Sequence, residues 1–290
     1  MPYTLWFDRA GKEALTLVGG KNASLGELIR AGIPVPPGFS VTTDAYLEFI
    51  TGSLQAKIEQ ILSRIDLQNI ASLEEASGVI RQVMAQTPFF KKMEEEIGSN
   101  YQALSQVFDT PDLPVAVRSS ATAEDLPGAS FAGQQDTFLW IQGIEDVLEK
   151  IKHCMSSLFT PRAISYRVKM GFPHEKVLIS VGVQKIVDAR AAGVMFTLNP
   201  LNGDPSRVVI EGNWGLGETV VAGLCNPDKF VVDKVTMVIE REISLKGVEC
   251  IFDVRRKEVV HADIPPDRRE IECIEDQEVL ELVRYARKIE

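Results

Sequence analysis

The paired glycines and lysine of Gly19-Gly20-Lys21-Asn22-Ala23-Ser24 form the first segment with chemistry suited to phosphate. Glycines let backbone approach a ligand closely, a helix start offers N–H donors, and the ammonium adds a point charge. The spacing differs from the P-loop, G-x-x-x-x-G-K-[ST]. Arg118 is the second candidate. It follows the apolar run 115–117 and opens a stretch through Thr137 that is rich in small and hydroxyl residues. Its guanidinium offers a fork of donors for phosphate oxygens, and a long small-residue loop can fold over phosphates as a lid. A third segment, Gly212-Asn213-Trp214-Gly215-Leu216-Gly217-Glu218-Thr219, lacks the last glycine of the dinucleotide fingerprint. It reads as a glycine-rich turn that positions Glu211 and Glu218. The strand-like run 181–186 ends in Gln184, Lys185 and Ile186, a junction that can line an apolar slot for adenine. Taken singly, these segments also fit an ordinary turn before a helix, a lid without a ligand, and solvated surface acids.

The elements that must hold these groups follow from pattern. Residues 23–31 are good helix formers and Gly32 is a C-cap residue, so a loop-to-helix transition is expected at 21–24. Residues 33–38 are proline-rich and extended. Thr43 or Asp44 is the expected cap of the next helix. Residues 54–107 read as helical, with Ser72 and Glu75 at capping-box spacing. Short strands are expected at 114–117 and 137–141, then a helix carrying Val147, Ile151 and Met155. After residue 171 the chain turns strand-rich (177–183, 193–197, 208–211, 230–233, 237–239) before a closing helix at 276–289. A helix-rich first half and a strand-rich second half predict an α+β chain with two lobes, 1–175 and 176–290.

Composition narrows the function classes. The net charge of −10 argues against a nucleic-acid surface, which needs clustered Lys and Arg. No apolar run approaches the length of a membrane span and the N-terminus has no secretory pattern, so a cytoplasmic protein is expected. Cys154, Cys225, Cys250 and Cys273 are far apart, as are His153, His174 and His261. That spacing predicts small buried thiols and no His/Cys metal cluster.

Together the segments resemble the N-terminal nucleotide-binding domain of the phosphoenolpyruvate synthase and pyruvate phosphate dikinase family. The carrying pieces are Val18-Gly-Gly-Lys-Asn-Ala-Ser-Leu-Gly-Glu-Leu28, Ala31-Gly-Ile-Pro-Val-Pro-Pro-Gly-Phe39, residues 117–137, Gly193-Val-Met-Phe-Thr-Leu-Asn-Pro200 and Trp214-Gly-Leu-Gly-Glu218, in the family's order. Rifampicin phosphotransferase and phenylphosphate synthase look similar over the same stretch. The resemblance implies an ATP-grasp-like fold with ATP and Mg2+ held between two lobes. Lys21 and Arg118 would contact the phosphates and carry catalysis. Gly133, Asp136 and Thr137 would belong to the lid, while Gln184, Lys185 and Ile186 would lie beside adenine. Glu211 and Glu218 would lie near the ribose or metal. No residue of the chain is assigned as a metal ligand, because the family's acidic Asp-x-Glu-Trp-like and Gln-Ser-Arg-Pro-like segments are expected beyond residue 290. The Thr-Ser-His motif is likewise expected on another domain or subunit that carries the phosphohistidine. The implied activity is phosphoryl transfer from ATP, through that histidine, to a small acceptor such as pyruvate, phenol or an antibiotic hydroxyl. A non-catalytic ATP-sensing module is the alternative reading.

Overall fold

The computed structural model describes residues 2–66, 69–122, 136–170 and 177–290. Two compact units divide the chain, Met1–Ile186 and Val187–Glu290. The fold is α+β, and every ladder in its named sheets is antiparallel.

The first unit is organised by a five-stranded sheet of β1 (Thr4–Trp6), β2 (Gly38–Val41), β3 (Val115–Ala121), β4 (Thr137–Ile141) and β5 (Ile179–Lys185), in the order β1-β2-β5-β3-β4. Side chains alternate across a strand, and β3 and β5 use that alternation to separate two jobs. Val115 and Val117 of β3, with Ile179, Val181 and Val183 of β5, enter the main core. The intervening positions Arg118, Ser120, Ser180, Gly182 and Gln184 are small or polar. Helix α1 (Leu15–Arg30) contacts both strands, and its Asn22 bonds Ser120 and Ser180 from that polar set. The core side is covered by helices including α2 (Thr43–Ile50), α3 (Ser53–Leu62), α4 (Ile70–Gln86), α5 (Lys91–Val107), α6 (Ile144–Ser156) and α7 (Pro161–Met170). Along α6, Val147, Ile151, Cys154, Met155 and Leu158 just beyond it recur at helical spacing and all enter that core.

Several sequence expectations shift by local chemistry. β3 does not stop at Arg118 but continues through Ala121, because Ser119 and Ser120 are small enough to be buried between paired strands. Helix α2 is capped by Thr42, whose Oγ1 accepts from Ala45 N at 3.2 Å, rather than by Thr43 or Asp44. Helix α4 is capped by Asn69, whose side chain accepts from Ala71 N and Ser72 N, so Ser72 lies inside the helix instead of starting it. Residues 179–186, expected to open the second lobe, group with the first unit because β5 bonds to both β2 and β3.

The second unit contains a four-stranded sheet of β6 (Ala191–Phe196), β7 (Arg207–Trp214), β8 (Asp228–Asp233) and β9 (Ile239–Glu242), in chain order. Helix α9 (Asp276–Ile289) packs Val279, Val283 and Ala286 onto Val208, Ile210, Phe230 and Val232. The spacing of those three helix residues is one face of an α-helix, and a Glu275/Glu278 capping box starts it. A hairpin of β10 (Val248–Asp253) and β11 (Glu258–Asp263) meets the glycine-rich turn through the Gly215–Cys250 bridge. Among the described residues no helix is long and apolar enough to cross a membrane.

Candidate functional site

Two local devices bring α1 onto the polar face of the first sheet. Gly19 interrupts the helix at φ 72°, ψ 168°, a region open almost only to glycine. A Cβ there would lie 2.2 Å from the Ser120 carbonyl oxygen, so Gly19 also permits the close approach. The second device is Gly182 on β5, where a Cβ would lie 2.6 Å from Asn22 Oδ1. Asn22 fixes the seat, its backbone N donating to Ser120 Oγ at 3.3 Å and its Nδ2 donating to Ser180 Oγ at 3.3 Å. Gly19→Ala is therefore expected to cost at least about 1–3 kcal/mol from backbone conformation alone, with the contact to Ser120 added. Chemical denaturation checks this, and wild-type stability would contradict the account of the turn.

The seat places Lys21 beside Arg118. Both line a pocket of about 280 Å³ within the first unit, together with Phe7, Asn22, Ser119 and Gln184. Arg118 projects from the middle of β3, with Gly182 opposite on β5 and Thr137 opposite on β4. Its backbone is thus held by strands on both sides. No carboxylate lines the pocket among the described residues. A cationic wall with hydroxyl and amide donors fits phosphate oxygens, while a hard cation such as Mg2+ needs carboxylate or carbonyl oxygens.

The other expected residues fall in different settings. Gln184 is nearly buried, and its Nε2 donates to Pro36 O at 3.0 Å. The backbone N of Lys185 donates to Pro37 O at 2.9 Å and that of Ile186 to Pro114 O at 3.1 Å, so both N–H groups are already used. Lys185 Nζ donates to Ile186 O and lies 4.9 Å from the Phe108 ring centroid. Asp136 pairs with Arg81 at 2.9 Å, and its carbonyl accepts from both Ser119 N and Ser119 Oγ. It thereby ties the entry to β4 onto β3. Thr137 is exposed at the start of β4. Gly133 lies outside the described residues, as does most of the expected lid (residues 123–135). Glu211 and Glu218 belong to the second unit. Glu211 is half-buried on β7 opposite Val194 and Lys229, while Glu218 opens the short helix α8 (Glu218–Val221).

Sequence reasoning missed Phe7 and Asn22. An asparagine after a lysine carries no pattern of its own, and its signal was the glycine at position 182 that makes room for it. Cys154 behaves as the expected inert thiol. Burial raises its pKa well above the ordinary range, and the nearby Asp136 adds to the effect. Three of the four cysteines are buried and none forms a disulfide. His153 is half-buried, 3.4 Å from Glu149, and His174 lies outside the described residues.

The architecture is thus α+β, with a lysine and an arginine converging on one pocket from a glycine-broken helix and a central strand. The pyruvate phosphate dikinase AMP/ATP-binding domain family matches residues 15–290, and the chain belongs to that family. It is 51% identical over 259 residues to a probable phosphoenolpyruvate synthase of Staphylothermus marinus, covering 88% of this chain and 31% of that protein. A probable phosphoenolpyruvate synthase of Methanocaldococcus jannaschii is 44% identical over 293 residues, covering 100% of this chain and 24% of that protein. The phosphoenolpyruvate synthase of Helicobacter pylori is 43% identical over 305 residues, covering 100% of this chain and 38% of its own. The chain therefore spans between 24% and 38% of the length of these three relatives.

Proposed function

We propose that this chain is the ATP-gripping part of a dikinase-type phosphotransferase with an ATP-grasp-like fold, its two units, residues 1–186 and 187–290, serving as the lobes. The observation that carries the reading is the convergence of Lys21, Arg118 and Gln184 on one pocket without a carboxylate in its described lining. Lys21 and Arg118 bind phosphate oxygens and stabilise the charge that spreads over the transferring phosphoryl group. Ser24 lines the pocket beside them, whereas the N–H and hydroxyl of Ser119 are held by Asp136 O and Asn22 is held by Ser120 and Ser180. Phe7 and Gln184 form the apolar and polar parts of the slot for the base. Thr137, opposite Arg118 in the β3–β4 ladder, lies beside the phosphate contacts. Bound Mg2+ neutralises phosphate charge; Glu211 and Glu218 are the acids proposed for the ribose or the metal, and further ligands come from outside these residues.

The β-phosphoryl group passes to a histidine on another domain or subunit as the α–β anhydride breaks and leaves AMP. Water takes up the γ-phosphate as inorganic phosphate, and the phosphohistidine then phosphorylates a small acceptor. Pyruvate is the acceptor that the relatives' names favour, with phenol the other acceptor in this reading. Transfer is tested by exchange of labelled AMP or phosphate into ATP with the histidine-bearing partner present. Exchange in the wild type, reduced at least about tenfold in Lys21→Ala through loss of a charged contact, is expected. Tight ATP binding with no exchange would show a nucleotide sensor instead.

A further inference from the structure

The second unit holds a cluster that the nucleotide reading does not use. Cys250 and His261 are direct cross-strand partners on β10 and β11, so their side chains share one face of the hairpin. Glu218 meets them from the first residue of α8, with Oε1 at 3.5 Å from His261 Nε2 and Oε2 at 3.8 Å from Cys250 Sγ. The three ligand atoms all lie within 4.8 Å of one another. Three different elements thus present one thiol, one imidazole and one carboxylate to a common point.

The arrangement is fixed by backbone as well as by side chains. The bridge between Gly215 and Cys250, and the bond from Leu216 N to Cys250 O at 2.7 Å, pin the glycine-rich turn to the hairpin. Cys250 is buried, while Glu218 and His261 are exposed and leave a route for an ion. We propose that Glu218, Cys250 and His261 form a three-ligand site for a borderline divalent cation of the Zn2+ type. Ligand atoms about 2.0–2.3 Å from one ion at tetrahedral angles lie about 3.3–3.8 Å apart. The 3.5 Å and 3.8 Å separations, one to each Glu218 oxygen, are of that size, and one ligand atom from each residue lies within 4.8 Å of the other two. A thiolate and an imidazole select such an ion over Mg2+, which prefers oxygen ligands. On binding, the Cys250 thiol gives up its proton to solvent and the sulfur bonds the metal. Three protein ligands leave the fourth position to water. Glu218 cannot serve nucleotide and this ion at once, so an occupied site withdraws that carboxylate from the proposed ribose or Mg2+ contact.

The test uses Co2+ as the probe, added to the reduced protein without nucleotide, so its outcome is independent of ATP binding. One equivalent is expected to give tetrahedral d–d bands and a thiolate-to-cobalt charge-transfer band. Zn2+ should displace it and excess Mg2+ should not. Cys250→Ser should lose the charge-transfer band, and Cys225→Ser should retain it. His261→Gln keeps the hairpin while removing an exposed ligand, and is expected to weaken binding at least about tenfold. It decides the matter if Cys250→Ser fails to fold. Absence of the band in the wild type, its persistence in Cys250→Ser, unchanged affinity in His261→Gln, or displacement by Mg2+ would each overturn the proposal.

Discussion

Arg118→Ala is expected to weaken ATP binding by about 10- to 100-fold, the loss of a charge-assisted contact worth about 1.5–3 kcal/mol. Arg118→Lys should be nearly as damaging. A lysine carries the charge but not the planar fork that holds two oxygens together. Neither change should greatly alter stability, because β4 and β5 hold the backbone on both sides and the side chain opens into the pocket. Titration calorimetry with ATP in the presence of Mg2+, alongside a denaturation curve for each variant, separates the two effects. Wild-type affinity in Arg118→Lys would remove the bidentate contact from the account.

The largest stability effect is expected at the ion pair between Asp228 and Lys246. Both side chains are fully buried and 2.6 Å apart. Asp228 also accepts from Ser244 N at 3.0 Å and from Cys273 N at 2.9 Å, while Lys246 Nζ donates to Ser244 O at 3.1 Å. A network this complete offsets the desolvation of its charges, and removal of one member leaves the other charged and unpaired. Asp228→Ala is expected to cost about 3–5 kcal/mol, which exceeds most single substitutions. Lys246→Met should cost a similar amount, since the carboxylate keeps its two N–H partners but loses its counter-charge. Trp214 is the single tryptophan of the second unit. Its fluorescence, in a background of Trp6→Phe and Trp140→Phe, reads that unit's unfolding. An unchanged midpoint in either variant would contradict the role given to the pair.

Strong, local signals made much of this legible in the sequence. The α9 helix and the β4 strand match their expected ranges, 276–289 and 137–141. Each has a clear period and sharp ends. Lys21, Arg118 and Gln184, far apart in the chain, do line one pocket, because the order of segments carried information that no single segment held. Hydrophobicity alone hid the remainder. β3 runs past Arg118 through two serines, since a buried strand needs small side chains where a helix lies close. The hairpin β10–β11 turns through residues 253–258, charged at every position but Val254, and neither of its arms is among the expected strands. Cys250 and His261 stand eleven positions apart in sequence and directly opposite in the ladder. Spacing rules for metal ligands, which look for near neighbours along the chain, pass over such a pair. The same holds for Asn22, whose place is explained only by the glycine across from it.

The nucleotide reading is tested most directly by thermal stabilisation with Mg-ATP. A ligand that binds only the native state raises its stability by about 2.7 kcal/mol at a hundredfold excess over Kd. The wild type should show a concentration-dependent rise in Tm that is lost in both Lys21→Ala and Arg118→Ala. No rise in the wild type, or an equal rise in both variants, would contradict a phosphate grip built from Lys21 and Arg118.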